Sequence, residues 1–192
     1  MTQRLRHAAG PLGVAVCVAA LASSCASNDG SSTGSHALYA VGSTHELCVG
    51  SDRGQTFVEG LDTIANRGPG PVRIDRAVWL DSQGFKLLGI GVFQRQEGDQ
   101  FATFGVWRGI PPQGLASGIG GATLVAAWAR RVPAEGATLP VSDGNQHYFD
   151  IVVSWSGLSG TAGPVRLSYT DAEGHKGTVD TRVTVTVHPT CH

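Results

Sequence analysis

The chain has 192 residues, 15% of them charged, and a formal net charge of -1 at pH 7. It has no basic run that could follow a phosphate backbone, so the composition argues against nucleic-acid binding. Its 27 glycines and 9 prolines are too many breakers for a helical protein, which favours one all-β domain with many turns.

The N-terminus has the pattern of a bacterial export signal. Arg4 and Arg6 precede the uncharged apolar run GPLGVAVCVAALA at 10–22, which is too short to span a bilayer as a stable helix. The end of this run and the residues after it, Leu21-Ala22-Ser23-Ser24-Cys25, resemble a lipobox, whose cysteine receives a diacylglyceryl group and becomes the mature N-terminus. We therefore predict a lipoprotein signal peptide at 1–24 and lipidation of Cys25.

The residues after Cys25 predict a spacer between membrane and domain. The stretch ASNDGSSTGS at 26–35 has no apolar periodicity, which is typical of a flexible tether. We predict the lipidated N-terminus and tether at 25–40 and a folded domain at 41–192. A diacyl group anchors stably, so we expect the domain on the extracytoplasmic face of the cell membrane. The alternative is cleavage after Ala22, which would release a secreted protein.

The cysteines of the folded domain lie near its two ends. Cys48 and Cys191 would face an oxidising compartment, so we expect a disulfide between them. Its long loop would contribute about 4–5 kcal/mol by the chain-entropy estimate. The alternative is a Zn or Cu site formed with the neighbouring histidines. Its ligands would be His45, Cys48, His188, Cys191 and His192.

From residue 55 onward, short apolar runs of period two are bounded by Gly, Pro, Asn and Asp, which indicates β-strands. The predicted strands lie in 71–80, 85–93, 101–107, 123–132, 147–155, 165–169 and 179–187. The stretch 123–132, TLVAAWARRV, could alternatively form a short helix, because Leu124, Ala127, Trp128 and Arg131 would share one helical face.

The strand at 147–155 has the clearest alternation. Its large apolar residues Phe149, Ile151, Val153 and Trp155 share one face, which predicts a half-buried strand. The runs at 165–169 and 179–187 flank the turn sequence DAEGHKG and predict a long hairpin. The glycine-rich segment at 108–122 predicts an irregular loop.

These strands predict two antiparallel sheets packed face to face, with seven or eight strands in all. The run IANRGPGPVRI at 64–74 resembles the x-N-x-G-x-x-P-V-x-I turn of immunoglobulin-like bacterial surface domains. With the lipobox and the paired terminal cysteines, the chain resembles actinobacterial lipoproteins whose folded part is an immunoglobulin-like β-sandwich. That resemblance implies an architecture and no activity.

The sequence has no nucleophile elbow, zincin helix or phosphate loop, so we expect neither an enzyme nor a cofactor. The four tryptophans could form a sugar-stacking surface, with core packing as the alternative for each. Trp107 and Arg108, beside the glycine-rich loop, are the candidate ligand-facing rim. We expect a non-catalytic binding or structural module that contacts envelope polymer or another protein.

Overall fold

A computed structural model describes residues 35–50, 56–95, 105–117, 121–142 and 148–191, except the side chain of Leu158. The predicted signal peptide at 1–24, the lipidation site Cys25 and His192 lie outside these residues. The predicted tether at 25–40 extends into them, and a strand begins at Leu38. No helix in the described part of the chain is long and apolar enough to cross a membrane.

The described residues form strands, one α-helix and one short 3-10 helix. The strands are β1 (Leu38–Val41), β2 (His45–Gly50), β3 (Thr56–Asn66), β4 (Val72–Trp79), β5 (Gln83–Gln94), β6 (Val106–Arg108), β7 (Val132–Pro133), β8 (Thr138–Leu139), β9 (Phe149–Ala162), β10 (Val165–Thr170), β11 (Lys176–Asp180) and β12 (Val183–His188). The helix α1 spans Gly121–Arg130 and the 3-10 helix spans Leu115–Ser117.

These strands form two sheets, which confirms the predicted all-β sandwich. The smaller sheet has the order β11-β10-β4-β8, and the remaining eight strands form the larger sheet. One described pairing departs from the predicted antiparallel pattern, because β2 and β12 run parallel, with His45 opposite Val183. β2 and β12 are far apart in the chain, so no hairpin turn makes them antiparallel.

The main core lies around β9. Phe149, Ile151, Val153 and Trp155 are all at most 2% exposed, which confirms the predicted apolar face. Trp155 packs against Phe57 and Trp79 at centroid distances of 5.6 and 5.3 Å. The prediction that β9 is only half-buried is wrong. Its alternate residues Asp150 and Val152 are buried as well.

A second cluster covers that other face of β9 and explains its burial. Val152 packs there with Val58 of β3 and with Leu124 and Ala127 of α1. The strand predicted at 123–132 is therefore wrong for 123–130, where the chain forms α1. Its apolar side chains fall three residues apart, and the apolar face of the sheet selects the helix that can cover it. Part of the predicted irregular loop at 108–122 also has regular secondary structure, since it contains the 3-10 helix.

The predicted hairpin at the C-terminus forms between β10 and β11, but its second strand is broken between β11 and β12. β11 pairs with β10 in the smaller sheet, whereas β12 pairs with β9 in the larger one. The crossing is held by the carboxylate of Asp62, which accepts hydrogen bonds from the backbone N–H groups of Arg182 and Val183 at 2.8 and 3.1 Å. The Thr181 hydroxyl also accepts one from the Val165 N–H at 2.9 Å. These side chains replace the ladder bonds of a continuous strand.

The disulfide predicted between Cys48 and Cys191 is present. Its two Cα atoms are 5.7 Å apart, and 143 positions of sequence separate the cysteines. Cys48 lies on β2, which is hydrogen-bonded to β12. The bond therefore ties the strand β2 to the segment that follows β12.

Candidate functional site

A groove of about 540 Å³ opens on the larger sheet, between β5, β7, β9 and the loop that follows β6. Its floor is formed by Gly89 and Gly91 of β5, which stand opposite Ser154 and Val152 of β9 in the strand register. Paired residues of antiparallel strands share one face of a sheet. Val152 belongs to the second cluster, so this is the face opposite the main core.

The glycines keep the floor of the groove clear of side chains. A Cβ atom added at Gly89 would meet nothing within 4 Å, so the space above its backbone is open. A Cβ atom at Gly91 would lie 3.2 Å from the Val132 carbonyl oxygen. Glycine inside a strand costs stability and often marks a close approach of a ligand or of another backbone. Larger residues at these positions would fill the groove.

Exposed apolar side chains form the walls of the groove. Leu88 is 44% exposed, Ile110 is 42% exposed and Val132 is 48% exposed. Leu88 projects at an irregularity of β5, because Leu87 pairs with Trp155 while Gly89 pairs with the adjacent Ser154. Large apolar side chains that cluster on a surface mark an interaction site more often than single ones do.

One charged side chain lies at the rim of the groove. Arg131 is the one charged group among the described residues that line it. Its guanidinium carbon lies 3.4 Å from the centroid of the Trp128 ring, and Nη1 donates a hydrogen bond to the Trp128 carbonyl oxygen at 2.6 Å. Partial burial lowers the pKa of Arg131. The rim therefore offers a positioned, partly desolvated cation.

The lining has the composition of a binding site. Apolar groups predominate, with the Ser154 hydroxyl and the Arg131 guanidinium as its polar side-chain groups. Activation of a serine nucleophile requires an adjacent base, and the described lining residues include no His, Asp or Glu. Searches of protein-family models, curated proteins and solved structures found no match to this chain.

The predicted rim pair Trp107 and Arg108 does not line the groove. Trp107 packs against the second cluster, and Arg108 stands opposite Phe57 in the pairing of β6 with β3. Ile110, two residues further along, lines the groove instead. The pairing of β6 with β3 holds Trp107 against the second cluster, away from the groove.

The tryptophans do not assemble the sugar-stacking surface considered from the sequence. Trp79 and Trp155 are in the main core, at 5% and 0% exposure. Trp107 and Trp128 pack against the second cluster. One face of the Trp128 ring is also covered by Arg131.

The alternative metal site is not assembled by its described members. The sulfurs of Cys48 and Cys191 are bonded to each other. The parallel register places His45 at one end of β2 and His188 opposite Gly50 at the other, about 17 Å apart at the usual strand rise. The His45 ring is hydrogen-bonded to Ser43 at 3.1 Å.

Sequence reasoning missed a group of buried carboxyls in β3 and β9. Glu59 is 2% exposed, and burial, reinforced by the nearby Asp62, raises its pKa to about 8. The Leu61 N–H donates to Glu59 Oε1 at 2.5 Å. A register shift between Glu59 and Asp62 breaks the alternation of β3. Gly60, which lies between Glu59 and Asp62, could have indicated this shift from the sequence, because glycine inside a strand often marks a bulge.

Asp150, the third buried acid, is fully paired. Arg95 donates to both of its oxygens, at 2.7 and 2.6 Å, and the Thr63 hydroxyl donates to Oδ1 at 2.8 Å. A cavity of about 180 Å³ lies beside Arg95 and Asp62. Both of these groups already have partners within the protein. We therefore assign this network to holding β3, β5 and β9 together rather than to binding.

Proposed function

We propose that this chain is a lipid-anchored extracytoplasmic protein whose β-sandwich is a non-catalytic binding module. The observation that carries the proposal is the glycine-floored groove between β5 and β9. Its volume falls within the range of small-molecule sites, about 300–1,000 Å³, and such sites are mostly apolar with a few placed polar groups. The groove matches that composition, and an apolar ligand is what it would hold.

The proposed localisation is supported by the N-terminal pattern and the disulfide together. Arg4, Arg6, the apolar run at 10–22 and Cys25 form an export and lipidation signal. The Cys48–Cys191 disulfide supports an oxidising compartment. The same bond removes the thiolates that the alternative metal-handling function would need.

Measuring the intact mass of the protein from its native membrane fraction tests this localisation. We expect the mass of residues 25–192 plus a diacylglyceryl group, with two alkyl labels added only after reduction. A mass that begins at Ser23 without lipid would make the protein secreted and contradict anchoring. Two labels added without reduction would contradict the disulfide and restore the metal-handling alternative.

Photolabelling of the full chain in isolated membranes tests the groove. The probe is a dodecanol analogue that carries a diazirine, and labelled peptides are mapped by mass spectrometry. We expect label on the peptides that contain Leu88 and Ile110. Gly89→Val should reduce it by about tenfold or more, because the new side chain occupies the open space above the floor.

Gly50→Val is the matched control. Gly50 also lies in a strand, and a Cβ atom there likewise meets nothing within 4 Å, but Gly50 is not part of the groove. This variant should label like the wild type. Label spread evenly over the surface, or equal labelling of the groove in wild type and Gly89→Val, would contradict the binding function.

A further inference from the structure

We propose that the groove binds a single-chain amphiphile with an anionic head, such as a long-chain carboxylic acid. The hydrocarbon chain would lie on the floor formed by Gly89, Gly91 and Val152, with its head at Arg131. This inference rests on the proposed binding function and names the ligand class for the same groove.

The shape and chemistry of the floor favour a hydrocarbon chain. The two glycines leave a narrow strip of bare backbone between taller apolar walls at Leu88, Ile110 and Val132. A polymethylene chain is slim enough to contact such a strip and carries no polar group that would need a partner.

A peptide or a sugar polymer fits the floor less well. Either would bring N–H, C=O or hydroxyl groups onto a sheet face, whose own backbone groups point along the sheet toward neighbouring strands. Besides Arg131, the Ser154 hydroxyl is the polar side chain of the lining. Most polar groups of such a ligand would lose water without gaining a hydrogen bond, which is costly.

Charge complementarity selects the head group. The lining includes one cation and no acidic residue among the described positions. Nη1 of Arg131 bonds to the Trp128 carbonyl, and a guanidinium has five N–H donors, so others remain for a carboxylate. The stack on Trp128 holds the guanidinium plane in place. The lowered pKa of Arg131 reflects partial loss of water, which strengthens its attraction for an anion.

The position of Arg131 also fits one end of the floor. A Cβ atom at Gly91 would lie 3.8 Å from Arg131 Cδ, so the side chain starts at the Gly91 end of the strip. A chain bound with its head at Arg131 would extend along β5 toward Gly89 and Leu88. One ligand can therefore use both the cation and the apolar floor.

Two photoreactive probes with the same chain test this inference on the full chain in isolated membranes. One is the dodecanol analogue and the other is the corresponding dodecanoate. We expect the dodecanoate probe to label the groove peptides about tenfold or more better, since a charge-assisted hydrogen bond contributes that much. Arg131→Gln should abolish the preference, and Arg131→Lys should restore part of it.

Arg73→Gln is the control, because Arg73 is an exposed arginine on β4 of the smaller sheet. It should keep the wild-type preference. Equal labelling by both probes, unchanged in Arg131→Gln, would overturn the inference and leave the binding function standing. So would preferential labelling of the groove by a photoreactive diacyl phospholipid. Groove labelling by neither probe would overturn both proposals.

Discussion

Glu59 places a carboxyl group inside the sandwich without a paired cation among the described residues. Burial contributes most to its raised pKa, and the nearby Asp62 and Asp150 add repulsion, against the opposing hydrogen bonds from Leu61 and Asp62 backbone N–H groups. At neutral pH the side chain is therefore mostly protonated. Arg95 does not neutralise the carboxyl group of Glu59, because its guanidinium is paired with Asp150.

This burial makes stability depend on pH in a defined direction. The pKa of Glu59 is about 8 in the folded protein against an ordinary value of 4.5, so between these values the folded state holds a proton that the unfolded chain has released. The stabilisation of the folded state by this extra proton is complete below pH 4.5 and is lost as the pH rises toward 8. The slope can reach about 1.4 kcal/mol per pH unit.

Glu59→Gln should flatten that slope and raise stability most at the alkaline end. The amide keeps the shape of the side chain and an oxygen that accepts the Leu61 N–H, but it cannot ionise. Urea unfolding measured between pH 5 and 8 tests this expectation. Glu173→Gln is the control, because Glu173 is 61% exposed. The same slope in Glu59→Gln as in the wild type would contradict the assignment.

At the scale of elements, the crossing between β11 and β12 determines how the two sheets are joined. Five residues of β11 pair with β10, and the chain then turns through Thr181 and Arg182 into the larger sheet. At the turn the Thr181 N–H still donates to the Val165 carbonyl of β10, and the Arg182 carbonyl accepts from the His45 N–H of β2. The N–H groups of Arg182 and Val183 donate instead to a side chain, the carboxylate of Asp62. Asp62 accepts both of these hydrogen bonds, so the middle of β3 anchors the start of β12.

Asp62→Ala should therefore destabilise the fold strongly. It leaves the buried N–H group of Val183 without an acceptor, at a cost of about 1–3 kcal/mol, and the part-buried N–H group of Arg182 adds less, because water can replace its partner. The measurement is the urea unfolding midpoint near neutral pH.

Asp180→Ala is the comparison for that experiment. Asp180 also lies at the crossing, but its ion pair with Arg166 is exposed, with side-chain exposures of 39% and 49%. Exposed ion pairs contribute little. A loss in Asp62→Ala no larger than in Asp180→Ala would contradict the anchoring role.

At the scale of the whole molecule, the larger sheet is covered unevenly on its outer face. Over part of β3 and β9 that face is covered by α1 and the 3-10 helix. Further along, at Gly89 and Ser154, the cover stops and the groove begins. The proposed binding surface is thus the boundary between the covered and uncovered parts of one sheet. The disulfide acts elsewhere, by tying β2 to the segment after β12.

The sequence by itself determined the all-β class, most of the strand positions and the disulfide. Period-two alternation at 147–155 follows from the geometry of a single strand, so it can be read locally. Cys48 and Cys191 are the cysteines outside the predicted signal peptide and lipidation site, which left one pairing within the predicted domain. Neither inference needed knowledge of which strands are neighbours.

The tertiary structure alone decided the helix, the crossing and the groove. The segment 123–132, TLVAAWARRV, is compatible with both a strand and a helix. Its contacts with Val58 and Val152, which are distant in sequence, favour the helix α1. Arg182 bonds to Asp62 across 120 positions. Arg131 reaches Gly91 because β7 pairs with β5. Each outcome depends on which distant residues meet, and periodicity along the chain carries no such information.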